Sequence, residues 1–219
     1  MRPAGEAWAS ALAVVNSQHL GEQLSGRRLT LRPLRAGDYR AWLDVRTRAH
    51  EWLVHWEPRR AGVPYPAEDR SFFAARCSMR ERDRQLGTAY SFGIFAGRTF
   101  VGEINLSSIQ RGAAQSAYLG YWVDEAHAGR GYVPEACVVV FGFAFDELGL
   151  HRVQVAIIPR NHPSRRVAEK LGLVEEGLAR GYLEIDGVWE DHVRYAITAE
   201  DWRVRREALR AEWISPRID

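Results

Sequence analysis

Residues 136–145, Ala-Cys-Val-Val-Val-Phe-Gly-Phe-Ala-Phe, contain no polar side chain, and Asp146 is the first to follow. At helical spacing such a run leaves no face for water, so it reads as a helix covered on every side. It falls far short of the roughly 18 apolar residues that a membrane span requires. Such a helix belongs inside a packed core, and the order of strands and helices around it makes mixed α/β the expected fold. A chain of 219 residues, 46% hydrophobic and 26% charged, can bury that core in one soluble domain.

The flanking segments supply the sheet. Residues 27–35 alternate apolar and polar positions through Leu29 and Leu31, the period of a half-buried strand. One or two helices are expected over 36–56, where Tyr39, Trp42, Leu43, Val45, Trp52 and Leu53 recur at helical spacings behind Asp38 as N-cap. Pro58, Pro64 and Pro66 mark 57–70 as a loop, and 71–83 return to a helical pattern. Two β-rich runs within 88–109 meet at a hairpin, Ala96-Gly97-Arg98, and residues 116–124 and 151–159 add two more strands. Ser164 is the expected N-cap of a short helix closed by Gly172, a last hairpin turns at Asp186-Gly187, and residues 200–214 form a terminal helix. The fold class is α/β of the α+β kind: a central twisted, mixed but mostly antiparallel sheet of about seven strands, with helices on both faces. The expected organisation is an N-terminal extension over 1–26, a domain over 27–200 and a C-terminal helix over 201–219. Within the extension, "EAWASALAVVNSQHL" reads as a frayed helix in preference to a signal peptide, because Glu6 precedes the apolar part and no clean cleavage site follows.

Cys77 and Cys137 are the only cysteines, and Cys137 lies inside the covered helix. Neither a disulfide framework nor a metal site is expected, which fits the cytoplasm. His127, His151, His162 and His192 show no ligand spacing and read as surface or loop residues. The net charge of +2 gives no argument for nucleic acid.

The covered helix opens from "EAHAGRGYVPEA", residues 125–136. A strand ending in Tyr-Trp-Val-Asp, a loop with Gly129 and Gly131, and a helix start near Tyr132 gather several backbone N–H groups at a helix N-terminus, a place ready for an anion. The glycines permit positive φ and close approach of an oxyanion, and Pro134 forfeits no bond in the first turn. A plain tight turn from strand to helix accounts for the same residues.

The loop resembles the phosphate loop of the GNAT superfamily of acetyl-CoA-dependent N-acetyltransferases, Q/R-x-x-G-x-G/A, with Ala126 in place of the leading Gln or Arg. Residues 158–177, "IPRNHPSRRVAEKLGLVEEG", resemble that family's N-x-x-S-x-x-x-x-E-K-L-G-F segment through Asn161, Ser164, Glu169, Lys170, Leu171 and Gly172, with Leu173 for the Phe. Residues 55–60, 118–136 and 181–197 are similar to the RimJ/RimL type, which acetylates the N-terminal amino group of ribosomal proteins; RimJ-like chains also include enzymes for small amines.

The resemblance implies a GNAT fold whose fourth and fifth strands run parallel and splay to admit acetyl-CoA. It implies pyrophosphate on the N–H groups of Gly129, Arg130, Gly131, Tyr132 and Val133, pantetheine along the strand backbone near Val123, and Asn161 on the pantetheine amide. Arg130, Arg165 or Arg166 could meet phosphate, or be solvated as arginines commonly are in a chain with one lysine. The acceptor is expected to be an α-amino group, whose pKa of about 7.7–8.0 demands only a modest base. Glu103 is the candidate base: it shares a strand face with Val101 and Asn105, where apolar neighbours would raise its pKa. Asp124 and Glu125 compete, and a merely ion-paired carboxylate is the alternative. Ser164 is implied as proton donor to the departing thiolate, or as the helix cap. Trp56, Glu57 and Tyr121, with Trp122 and Tyr182, are expected on the acceptor side, or as aromatic core. The expected reaction is direct transfer of acetyl to a protein N-terminus; a polyamine, aminoglycoside or amino-sugar acceptor, or a non-catalytic acyl-CoA sensor, are the alternatives. No metal, nucleic-acid or membrane partner is expected, and the terminal helix could pair two copies into a homodimer.

Overall fold

The structure, a computed structural model, describes residues 22–58 and 69–216. The expected leading helix and most of the proline-rich loop lie outside the described residues. In chain order the strands are β1 (Leu24–Ser25), β2 (Leu29–Arg32), β3 (Tyr90–Ala96), β4 (Thr99–Gln110), β5 (Ser116–Val123), β6 (Arg152–Ile157), β7 (Val174–Ile185) and β8 (Val188–Thr198). The helices are α1 (Tyr39–Arg48), α2 (His50–Leu53), α3 (Arg70–Leu86), α4 (Tyr132–Gly142), α5 (His162–Lys170) and α6 (Ala199–Trp213).

The strands form a single sheet in the order β1-β2-β3-β4-β5-β6-β8-β7. It has eight strands, where the sequence pattern suggests about seven. The added strand, β1, is two residues long and pairs with β2 inside the segment expected as an extension. All neighbours are antiparallel except β5 and β6. Those two pair only at Ser116–Arg152, Ala117–Val153 and Tyr118–Gln154. β5 then continues to Val123 and β6 to Ile157 without a partner between them, so the sheet opens as a V along that seam.

Helix α4 confirms the covered-helix reading, because every residue from Val133 to Phe141 is buried. Its apolar side chains join Leu31, Ile94, Ile104, Leu119 and Val153 from the sheet and Trp202 from α6 in one core. A smaller cluster on the opposite face packs Trp42, Val45 and Phe73 of α1 and α3 onto Phe95 and Phe100. Alternation along β5 therefore sends Leu119, Tyr121 and Val123 toward α4 and Trp122 toward the α1–α3 side. One carboxylate, Glu135, is buried inside α4. It is satisfied by the backbone N–H groups of Arg28 and Leu29 at 2.6 and 3.1 Å and by Arg28 Nε at 2.7 Å, and so ties the β1–β2 turn to the start of α4.

Candidate active site

The V between β5 and β6 opens into a cavity of about 940 Å³ that both faces of the sheet share. On the α4 side it is walled by Leu119, Tyr121, Val123, Val133, Asn161 and Ser164, and on the other by Trp52, Trp56, Tyr118, Trp122, Tyr182 and His192.

At the α4 end lies the glycine loop. Gly129 and Gly131 take φ of 74° and 77°, the left-handed conformation that a side chain disfavours. A Cβ on Gly129 would meet nothing within 4 Å, whereas one on Gly131 would lie 3.1 Å from the Trp213 ring and 3.3 Å from Arg28 Nη2. Among the described residues no backbone carbonyl accepts from the N–H groups of Gly129, Arg130, Gly131, Tyr132 or Val133; the first helical bond is Glu135 N–H to Gly131 O at 3.2 Å. Free donors at the N-terminus of a helix of this length suit the pyrophosphate of a CoA thioester. Arg28 Nη1 donates to the Arg130 carbonyl at 2.9 Å, and its guanidinium lies 5.0 Å over the Tyr132 ring. A cation from a distant turn thus stands beside the loop whose own leading position is Ala126. No local sequence signal marks Arg28. The unpaired edges of β5 and β6 offer backbone groups to the pantetheine amides, so the residues present fit acetyl-CoA.

Asn161 is the N-cap of α5: its Oδ1 accepts from Ser164 N–H at 3.1 Å. This corrects the expectation that Ser164 caps the helix. Pro163 at the helix start moves the cap back to Asn161 and turns its side-chain oxygen to the backbone instead of the cavity. Ser164 Oγ is thereby released to pair with Tyr121 Oη at 2.9 Å. Burial pushes the Tyr121 phenol well above its ordinary pKa, so it stays protonated and has a proton to donate; either hydroxyl of the pair can be the donor to the other. Arg165 is not among the residues that wall the cavity, and its Nε donates to Tyr195 Oη at 3.1 Å, toward β8. Of the candidate arginines, Arg166 is on the cavity wall.

Glu103 differs most from expectation. It is fully buried under α1 and α3, accepting from Trp42 Nε1 at 2.9 Å, Arg76 Nη2 at 2.7 Å and Arg80 Nη1 at 2.5 Å. Burial alone would raise its pKa, but Arg80 and Arg76 overrule it and hold the carboxyl down to about 2. Arg76 Nη2 also donates to the other carboxylate oxygen at 2.9 Å, so all four acceptor sites are taken and none is left for an amine, and Glu103 is absent from the cavity wall. Asp124, 1% exposed, is engaged by Arg48 and by His127 Nδ1 at 3.0 Å, which outweigh burial and hold it below the usual carboxylate range. Glu125 is exposed in the turn before the loop.

On the acceptor side Trp56 lies under the Arg160 guanidinium, 5.3 Å from its centroid, and Glu57 is held by both terminal nitrogens of Arg46. Pro58 bridges to Ile185, which ties this segment to the β7–β8 hairpin. Asn105 Oδ1 is buried without a hydrogen-bond partner where Asn105 meets the cavity. His192, expected at the surface, is 3% exposed and on the cavity wall. Alternation of β8 in a bulged hairpin was not readable from the sequence, so the side of the sheet on which His192 falls was hidden. No group of three or more metal-ligating side chains occurs among the described residues, and no described helix is long and apolar enough to cross a membrane.

Comparison with known proteins gives one answer at family level. Residues 28–174 match the family described as "Acetyltransferase (GNAT) domain". A probable N-acetyltransferase of Bacillus subtilis, YjcK, is 37% identical over 181 residues, which are 81% of this chain and 98% of that protein. The [ribosomal protein uS5]-alanine N-acetyltransferase of Escherichia coli is 32% identical over 183 residues, covering 82% and 92%. The structure of Mycobacterium smegmatis RimJ in complex with CoA-disulfide superposes with a TM-score of 0.81 at 31% identity, covering 88% of this chain and 94% of that one.

Proposed function

This chain belongs to the acetyltransferase (GNAT) domain family and is an acetyl-CoA-dependent N-acetyltransferase; from that premise we propose that its acceptor is the N-terminal α-amino group of a cytoplasmic protein, with a ribosomal protein as the first candidate. The observation that carries this reading is the charge of the acceptor side. Among the described residues that line the cavity Glu57 is the one carboxylate, and Arg46 neutralises it. A polyamine or aminoglycoside brings several positive charges and needs several carboxylates to desolvate them. A peptide N-terminus brings one charge and an apolar backbone, which aromatic walls such as Trp52, Trp56, Tyr118 and Tyr182 accommodate. The E. coli relative named for the alanine of uS5 supports the ribosomal assignment.

Acetyl-CoA, when bound, supplies a thioester carbonyl. The loop N–H groups from Gly129 to Val133, with Arg28 beside them, hold the pyrophosphate end, and the free edge of β5 at Val123 aligns the pantetheine. Gly120, which pairs with Asn105 and presents no side chain, leaves the gap through which the amine reaches the carbonyl. The Tyr121–Ser164 hydroxyl pair donates to the departing sulfur.

The test is thiol release by the purified protein with acetyl-CoA and three acceptors: a peptide with free N-terminal Ala or Ser, the same peptide blocked at its N-terminus, and spermidine. The free peptide is expected to have the highest kcat/KM. A higher value for spermidine would overturn the acceptor assignment, and CoA binding without turnover of any amine would overturn the enzymatic one.

A further inference from the structure

We propose that His192 is the general base of the transfer, its Nε2 taking the proton that the acceptor amine sheds as it attacks. The inference rests on the reading that this cavity acetylates an amine, and it deepens that reading by naming a base on the acceptor face, where among the described residues Glu103, Asp124 and Glu57 are each locked to arginine and the other cavity-lining imidazole, His127, is held by Asp124 beside the glycine loop.

Position argues first. His192 pairs with Ala179 of β7, and the next residue, Val193, pairs with Ile157 at the end of β6. The imidazole therefore stands where β6 gives way to the turn into α5, the corner that also carries Ser164. Its ring lies edge-on to Tyr182 at 5.5 Å between centroids, and Arg194, two residues on, lies over Tyr118 and Tyr182 at 5.6 and 5.2 Å. His192 thus occupies the acceptor face of the sheet, while Tyr121 and Ser164 occupy the cofactor face. The proton acceptor and the donor to sulfur face each other across the V.

The tautomer argues second. Nδ1 lies 3.0 Å from the Glu190 carbonyl oxygen. A carbonyl only accepts, so Nδ1 carries the hydrogen and Nε2 of the neutral ring carries the lone pair. No described residue hydrogen-bonds Nε2. The ionisable groups around the ring are Tyr182 of β7, Tyr118 of β5, Arg160 after β6, Glu57 after α2, and Glu190, Asp191 and Arg194 of β8. Of these, Glu190 is paired with Arg160 at 2.8 Å, Glu57 with Arg46, and Asp191 accepts from Gly181 N–H at 2.7 Å. Burial, with Arg160 in support, holds the imidazole below its ordinary value against the pull of Glu190 and Asp191, so the ring is neutral at pH 7.

The step balances without a further reagent. The neutral amine nitrogen bonds to the thioester carbon, its surplus proton passes to Nε2, and the carbon–sulfur bond breaks. The sulfur leaves as thiolate, held by the Tyr121 and Ser164 hydroxyls, and receives the imidazolium proton through cleft water. The products are the amide and the free thiol, with His192 neutral again.

The experiment compares wild type with His192→Asn and His192→Ala, using whichever amine wild type turns over best. Asn keeps a donor for the Glu190 carbonyl and removes the base. The expected result for H192N is a fall in kcat of about a hundredfold or more, with KM for acetyl-CoA and the thermal midpoint near wild type. Wild-type kcat/KM should fall as pH drops through an imidazole ionisation below about 6.5, H192N should lack that limb, and added imidazole should restore part of the rate in H192A. H192N with wild-type kcat and pH profile would overturn the proposal. Should both variants fail to fold, the enthalpy of ionisation of the wild-type acid limb decides: an imidazole value supports it, and a carboxylate value or no limb overturns it. If peptides fail and another amine succeeds, the acceptor assignment falls while His192 is judged on that amine; a protein that turns over no amine refutes both.

Discussion

Replacing Glu103 by glutamine separates a buried counter-ion from a catalytic base. The carboxylate is 0% exposed and accepts from Trp42, Arg76 and Arg80. Its pKa moves from 4.5 to about 2 on folding, which at about 1.36 kcal/mol per unit is roughly 3 kcal/mol of stability at pH 7. That figure agrees with the about 3–5 kcal/mol lost when one partner leaves a buried ion pair. Because the folded value is the depressed one, the stabilisation is complete above the unfolded pKa and disappears as pH falls from about 5 toward 2. E103Q is expected to melt roughly 6–12 °C below wild type at pH 7, and the gap should close as the pH approaches 2. Thermal unfolding followed by circular dichroism at pH 7 and pH 3 measures this, alongside kcat at 25 °C, expected to stay within about twofold of wild type. An unchanged midpoint with a hundredfold loss of kcat would refute the reasoning and restore Glu103 as the base.

Gly131→Ala forces a side chain into a φ of 77° against Trp213 and Arg28; at about 1–2 kcal/mol of strain it should weaken acetyl-CoA binding roughly tenfold by calorimetry and leave kcat at saturation little changed. Tyr121→Phe removes the hydroxyl 2.9 Å from Ser164 Oγ and should lower kcat about tenfold or more with KM for acetyl-CoA unchanged, which steady-state kinetics will read. Asn105→Ala removes a buried oxygen that has no partner in the free protein, so stability should hold or rise while KM for the peptide increases several-fold, as melting and peptide titration would show.

Features carried by local chemistry were legible in the sequence. The apolar run of α4 forced a covered helix, Gly129 and Gly131 forced the left-handed loop, and the 158–177 segment placed α5 and Ser164 beside it. Features carried by long-range pairing were not. Glu103 looked like a carboxylate among apolar strand residues because its partners, Arg76 and Arg80, sit on a helix that no local pattern docks on that strand. Arg28 and Glu135 are far apart in the chain and meet only because the β1–β2 turn packs on α4. His192 looked like one of several scattered histidines; its side of the sheet depends on register shifts in β7 between Glu175 and Gly177 and between Ala179 and Leu183, and a shift of one residue exchanges the two faces. The exposed residues at the start of β7 lack alternation for the same reason, so that strand begins seven residues before the hairpin pattern does.

The central claim, acetyl transfer to the N-terminus of a protein, is tested most directly by mass spectrometry of N-terminal peptides from cells with and without this gene. The account predicts that one acetylated N-terminus, or a few, most directly an Ala or Ser of a ribosomal protein, becomes unacetylated in its absence and is restored by wild type but not by H192N. An unchanged set of acetylated N-termini, with a small amine losing its acetyl group instead, would contradict it.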